Sequence, residues 1–93
     1  MTDELRKRVA QAAKALKAAG AREVYLFGSA ATGSLREGSD IDLAITGLPP
    51  EVFFKAMGNA GDILRHPLDL IGLDEDNPLT RYLKEEEQLV RIE

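Results

Sequence analysis

The chain has 93 residues, 44% of them apolar and 30% charged, with a net charge of −4 and no cysteine. This is one small domain with the make-up of a soluble globular protein, not a disordered tail. Disulfides and thiolate metal sites are excluded, no apolar run approaches the ~20 residues that span a bilayer, and the acidic balance argues against long nucleic acid as a partner.

The opening "MTDELRKRVAQ" is charged and amphipathic and lacks the apolar core of a signal peptide, so a cytoplasmic location is expected. Leu5, Val9, Ala12, Ala13 and Leu16 recur at helical spacing. Thr2 or Asp3 caps that helix and Gly20 ends it. Its cations, Arg6, Lys7, Arg8, Lys14 and Lys17, read as a solvated face. "EVYLF" reads as a buried strand. "GSAATGS" is a turn of small residues, and "LREGS" a loop or hairpin end. "DIDLAIT" alternates strictly, with Ile41, Leu43 and Ile45 on one face and Asp40, Asp42 and Ala44 on the other. After "GLPP", Pro49 and Pro50 open a helix in which Phe53, Ala56, Met57 and Ala60 share a face, and "GNAGD" is expected to end it. "HPLDLIGL" reads as a third strand. Asn77 and Pro78 start a last helix that runs to about residues 84–87. The tail "QLVRI" is open between an extension of that helix and a short last strand.

Helices alternating with strands predict a sheet with helices packed on it. The link over residues 28–39 is too short for a crossover helix, so the first two strands are expected to pair antiparallel. The expected fold class is α+β with α/β-type layers, in one domain spanning 1–93. It has a small mixed β-sheet of three strands or slightly more, helices on one face and the other face partly open.

Strand periodicity puts Asp40 and Asp42 on that open side, with Cβ atoms ~6.5–7 Å apart. Asp69, between Leu68 and Leu70, points away from its apolar neighbours in the same way. If the second and third strands are adjacent, the three carboxylates converge and repel, and a divalent cation removes the conflict. Hard oxygen ligands suit Mg²⁺ or Mn²⁺, and Mg²⁺ usually combines one or two carboxylates with water and substrate phosphates. Gly28, at the end of a buried strand, allows close backbone approach. Ser29 offers a hydroxyl and an amide at the start of what can be a helical turn. Ser39 adds a further donor beside Asp40.

The stretch "FGSAATGSLREGSDIDLAI", followed by "LDL" in a later strand, resembles the signature of the nucleotidyltransferase fold of the DNA polymerase β superfamily. In size the chain is most similar to the minimal nucleotidyltransferases, often encoded beside a HEPN-domain protein as a toxin–antitoxin pair. The resemblance covers nearly the whole chain. It implies that Gly28 and Ser29 contact nucleotide phosphates, that Asp40 and Asp42 bind Mg²⁺, and that Asp69 completes the metal site or helps activate the acceptor hydroxyl. It implies transfer of a nucleoside monophosphate, usually AMP from ATP, with a tyrosine of a HEPN-domain toxin as acceptor. The alternative is a non-catalytic module of the same fold that neutralises or scaffolds a partner. A weaker one is an enzyme acting on RNA ends or a small-molecule hydroxyl. Similar proteins commonly carry arginine just after Gly-Ser and again two residues later, where this chain has Ala30 and Thr32. Arg36, Arg65 or a partner's residue are the candidates to supply that charge. Oligomeric state and acceptor are left open.

Other patterns read as structure. "DEDNP" lacks the glycine of a calcium loop, having Leu79 in its place, and reads as a capped helix start. "GSAATG" lacks the Gly-Lys-Ser/Thr of a Walker loop. His66, the only histidine, reads as structural or surface, with its closeness to Asp69 noted. "KEEE" reads as a solvated helix end. Tyr82, with Leu79 and Leu83, reads as core or interface. The tail "LVRI" reads as exposed apolar surface suited to a protein partner.

Overall fold

The computed structural model describes residues 1–33, 39–86 and 89–93. The chain runs α1 (Asp3–Ala19), β1 (Glu23–Phe27), α2 (Ser29–Thr32), β2 (Ile41–Thr46), α3 (Pro50–Leu64), β3 (Leu68–Gly72), α4 (Pro78–Glu86) and β4 (Val90–Arg91). The expected loop at 35–39 lies outside the described residues apart from Ser39, as do Arg36 and the last residue of "KEEE".

Thr2 caps α1, its side chain accepting the Leu5 amide at 3.1 Å. Gly20 closes it at φ 127°, its amide donating to Leu16 and Lys17 carbonyls. The periodic residues Leu5, Val9, Ala12, Ala13 and Leu16 are the buried ones. They pack with Ala56, Ala60 and Leu64 of α3 on one face of the sheet, against Val24, Leu26, Ile41, Leu43, Ile45 and Leu70.

The sheet has four strands in the order β3-β2-β1-β4. β1 pairs antiparallel with β2 and with β4, as the short link predicts, and β2 pairs parallel with β3. A parallel neighbour needs a crossover, which α3 supplies. α4 reaches the opposite face, where Leu83 and Leu73 cover Phe27 and Ala44, with Tyr25, Ile71 and Leu89 beside them. That face is therefore sealed in part and open in part.

Two expectations are corrected. "GNAGD" does not end α3; the helix continues to Leu64 and stops at Arg65, in the left-handed conformation at φ 53°. Each interior glycine costs about 1 kcal/mol, but the burial of Ala60 and Leu64 on the continuing apolar face outweighs it. "LVRI" is not a free apolar surface. Its strand pairs with β1, Ile92 packs on the main core and Leu89 on the smaller cluster. The exposed large apolar side chains among the described residues are Phe54, Leu79 and Tyr82, so of the expected α4 trio only Leu83 is core.

At the end of the sheet where β1 begins, Glu23 accepts the Thr46 hydroxyl at 3.0 Å and lies 3.3 Å from Arg91. The Thr46 hydrogen bond, helped by bonding to Tyr25 and by the two nearby arginines, holds the Glu23 carboxyl below its ordinary value. Its contribution to stability is present above the unfolded-state carboxylate range and is lost as pH falls through the lowered value. In Thr46→Val the Glu23 carboxyl is expected to titrate closer to its ordinary value, read by carboxyl-carbon NMR. Leu43 is wholly buried, and Leu43→Ala is expected to lower unfolding free energy by about 2–5 kcal/mol, read by urea denaturation.

Candidate functional site

β2 is buried on one side and carries Asp42 on the other. Asp42 lies between Phe27 of β1 and Asp69 of β3 in the pairing register. Residues so paired share a sheet face, so Phe27, Asp42 and Asp69 form a row across three strands. The next row inward, Tyr25, Ala44 and Ile71, is the apolar cluster that α4 covers. The carboxylates thus stand at the margin where sealed surface gives way to solvent. Asp42 is half-buried and Asp69 exposed. With strands about 4.8 Å apart, the two acids are close neighbours from separate segments of chain. Asp40 precedes β2, is exposed, and lies two residues from Asp42 at the same end of the sheet.

Gly28 joins β1 to α2 at φ 70°, ψ −150°, a conformation closed in practice to residues with a Cβ. The space is closed as well. A Cβ at Gly28 would overlap the Asp42 carboxylate, falling 3.2 Å from its Cγ and closer still to Oδ2. The glycine is therefore needed first by the aspartate beside it, which the sequence pattern does not reveal. α2 is the helical turn expected of "SAATG". Ala31 and Thr32 donate to the Gly28 carbonyl at 3.2 and 3.3 Å, so the amides of Ser29 and Ala30 open the turn. Thr32 directs its hydroxyl back to Gly28 and Ser29 carbonyls, and Ala30 and Ala31 pack on the main core. Positions 30 and 32 are thus spent here on structure.

Ser39 is half-buried, and its carbonyl lies 2.5 Å from His66 Nε2. His66 is thus in contact with the segment that leads into Asp40, a link that sequence spacing could not disclose.

The acids and the Gly28 cradle fit a hard divalent cation such as Mg²⁺. The donors are oxygens, they come from adjacent strands, and the backbone is cut back to glycine at the carboxylate. Among the described residues no three acidic or histidine side chains are drawn into a ready-made cage. Mg²⁺ favours one or two carboxylates together with water and substrate oxygens. A separate apolar groove is lined by Phe53, Phe54, Leu70, Ile71 and Leu79. Asp74, Glu75, Asn77 and Thr80 stand at its polar side, and it includes none of Gly28, Asp40, Asp42 or Asp69. No helix among the described residues is long and apolar enough to cross a membrane.

The family described as "Polymerase beta, Nucleotidyltransferase" matches residues 10–91. No curated protein matches the sequence. Among solved structures, the chain is similar to a minimal nucleotidyltransferase at 24% identity and a TM-score of 0.75, covering 92% of each chain. It is also similar to a toxin–antitoxin complex with AMP-PNP, at 22% identity and a TM-score of 0.69, covering 86% of this chain and 68% of the other. A third is the toxin–antitoxin MntA-HepT, at 18% identity and a TM-score of 0.66, covering 95% and 71%. These likenesses establish the fold.

Gly28→Ala is expected to destabilise the protein by about 1–3 kcal/mol through its left-handed backbone, read by urea denaturation. It is also expected to displace the Asp42 side chain, seen as a shift of the Asp42 carboxyl-carbon resonance larger than that of Asp69.

Proposed function

Since the chain belongs to the polymerase beta nucleotidyltransferase family, we propose that it transfers AMP from ATP to a hydroxyl on a partner protein. The acceptor is a tyrosine of a HEPN-domain toxin, and the chain acts as the antitoxin in the cytoplasm. The observation that carries this reading is the row Phe27–Asp42–Asp69 with Gly28 fitted against the Asp42 carboxylate. Support for the partner comes from the fold shared with toxin–antitoxin pairs, one of them holding AMP-PNP.

Asp40 and Asp42 would hold Mg²⁺, with Asp69 completing the set. A divalent cation there, when bound, neutralises phosphate charge in an in-line displacement. Gly28 and the opening amides of α2 receive the phosphates, and Ser29 and Ser39 add hydroxyl donors. The acceptor oxygen forms a bond to the α-phosphorus as the bond from that phosphorus to the pyrophosphate oxygen breaks. Asp69, the most exposed member of the row, takes the hydroxyl proton. Phe27 and the apolar row behind it keep water from the inner side of Asp42.

A second reading, a binding module of the same fold without catalysis, is favoured by one observation. α2 carries alanines turned into the core and a threonine bonded to its own backbone, so it offers no cation to a triphosphate.

Incubation with labelled ATP, Mg²⁺ and the neighbour-encoded protein tests the choice. Label is expected on a tyrosine of the partner, with Asp42→Asn reducing transfer by more than about 100-fold, beyond what loss of a merely supporting group causes. Absence of transfer, with neutralisation untouched by Asp42→Asn, would select the binding module.

A further inference from the structure

We infer that His66 is a positioning residue for Asp40, an inference that rests on the nucleotidyltransferase reading of the carboxylates. A carbonyl oxygen only accepts, so the His66 nitrogen 2.5 Å from Ser39 O carries a proton and donates it. Two residues along, the Ile41 amide donates to the Pro67 carbonyl at 2.9 Å. These bonds grip the two peptide units that flank Asp40, one by its oxygen and the other by its N–H. Asp40 lies outside β2 and has no partner in the β1–β2 and β2–β3 ladder registers. The direction of its backbone is therefore set by residues 65–67.

That short segment is itself shaped for the task. Arg65 ends α3 at φ 53°, the one non-glycine residue with positive φ among the described residues, and reverses the chain. Pro67 confines His66 to extended backbone. The imidazole is half-buried and turned toward the segment before β2, while Asp69 follows three residues later. The histidine thus couples the entrance of β3 to that of β2 and fixes how far Asp40 stands from Asp42 and Asp69. Carboxylates that share one cation need that spacing, and the groups that orient metal ligands typically matter by 10–100-fold in metal affinity.

The test reads metal affinity without turnover. The full chain with a non-hydrolysable ATP analogue is titrated with Mn²⁺, following paramagnetic broadening of the Asp40 and Asp69 amide resonances. His66→Leu is expected to raise the Mn²⁺ concentration for half-maximal broadening on the order of tenfold, and to speed exchange of the Ile41 amide while leaving that of Leu43 unchanged. His66→Gln, whose amide N–H can take the place of Nε2–H, is expected to restore both. Wild-type Mn²⁺ affinity in folded His66→Leu, or no recovery in His66→Gln, overturns the positioning role, while binding that Asp42→Asn abolishes keeps the broader reading standing. No Mn²⁺-dependent broadening in the wild-type chain overturns both. Independently of any variant, an imidazole found by long-range ¹H–¹⁵N NMR to lack a proton on Nε2 overturns it.

Discussion

Ile41, Leu43 and Ile45 lie wholly inside the protein beneath α1 and α3, and the positions of Asp42 and Asp69 follow from their burial. Each such side chain is worth roughly 1.5–3 kcal/mol out of water. A slip of one residue would turn all three outward and drive Asp42 into the core. An unpaired carboxylate there costs far more than the slip could recover. The apolar side of β2 therefore holds the polar side in register. Because β2 is paired on both edges, that register passes to Phe27 on one neighbour and Asp69 on the other.

Much of this was legible in the residues. Strict alternation in "DIDLAIT" announced the strand and its faces, and the short link after β1 announced an antiparallel pair. The placement of Asp69 beside Asp42 followed once the third strand was assumed adjacent. Other features were hidden because they depend on contacts between distant segments. Gly58 and Gly61 looked like a helix end, yet Leu64 finds a wholly buried place one turn later. The tail looked exposed because nothing local shows that β1 has a free edge for it. His66 looked incidental because its partner, Ser39, is 27 residues away in sequence. The clash of any Cβ at Gly28 with Asp42 is likewise a property of two strands together.

The site is spare, as suits a domain this small. One aromatic ring, three acids and a glycine-led turn occupy the end of a four-stranded sheet. The turn itself has traded charge for packing, with Ala30 and Ala31 set against the core.

The parallel pairing of β2 with β3 has a consequence for how the protein comes to possess its site. Asp42 belongs to the β1–β2 pair and Gly28 follows β1 directly, and a partly folded chain can form that pair from nearby sequence. Asp69 arrives only when α3 has docked and the crossover has closed, a long-range step that pays its loop entropy before any contact rewards it. A ligand that needs both halves binds the finished fold alone and shifts the folding equilibrium toward it. Under the proposed function, nucleotide would then serve the newly made chain as a check that β3 is in place.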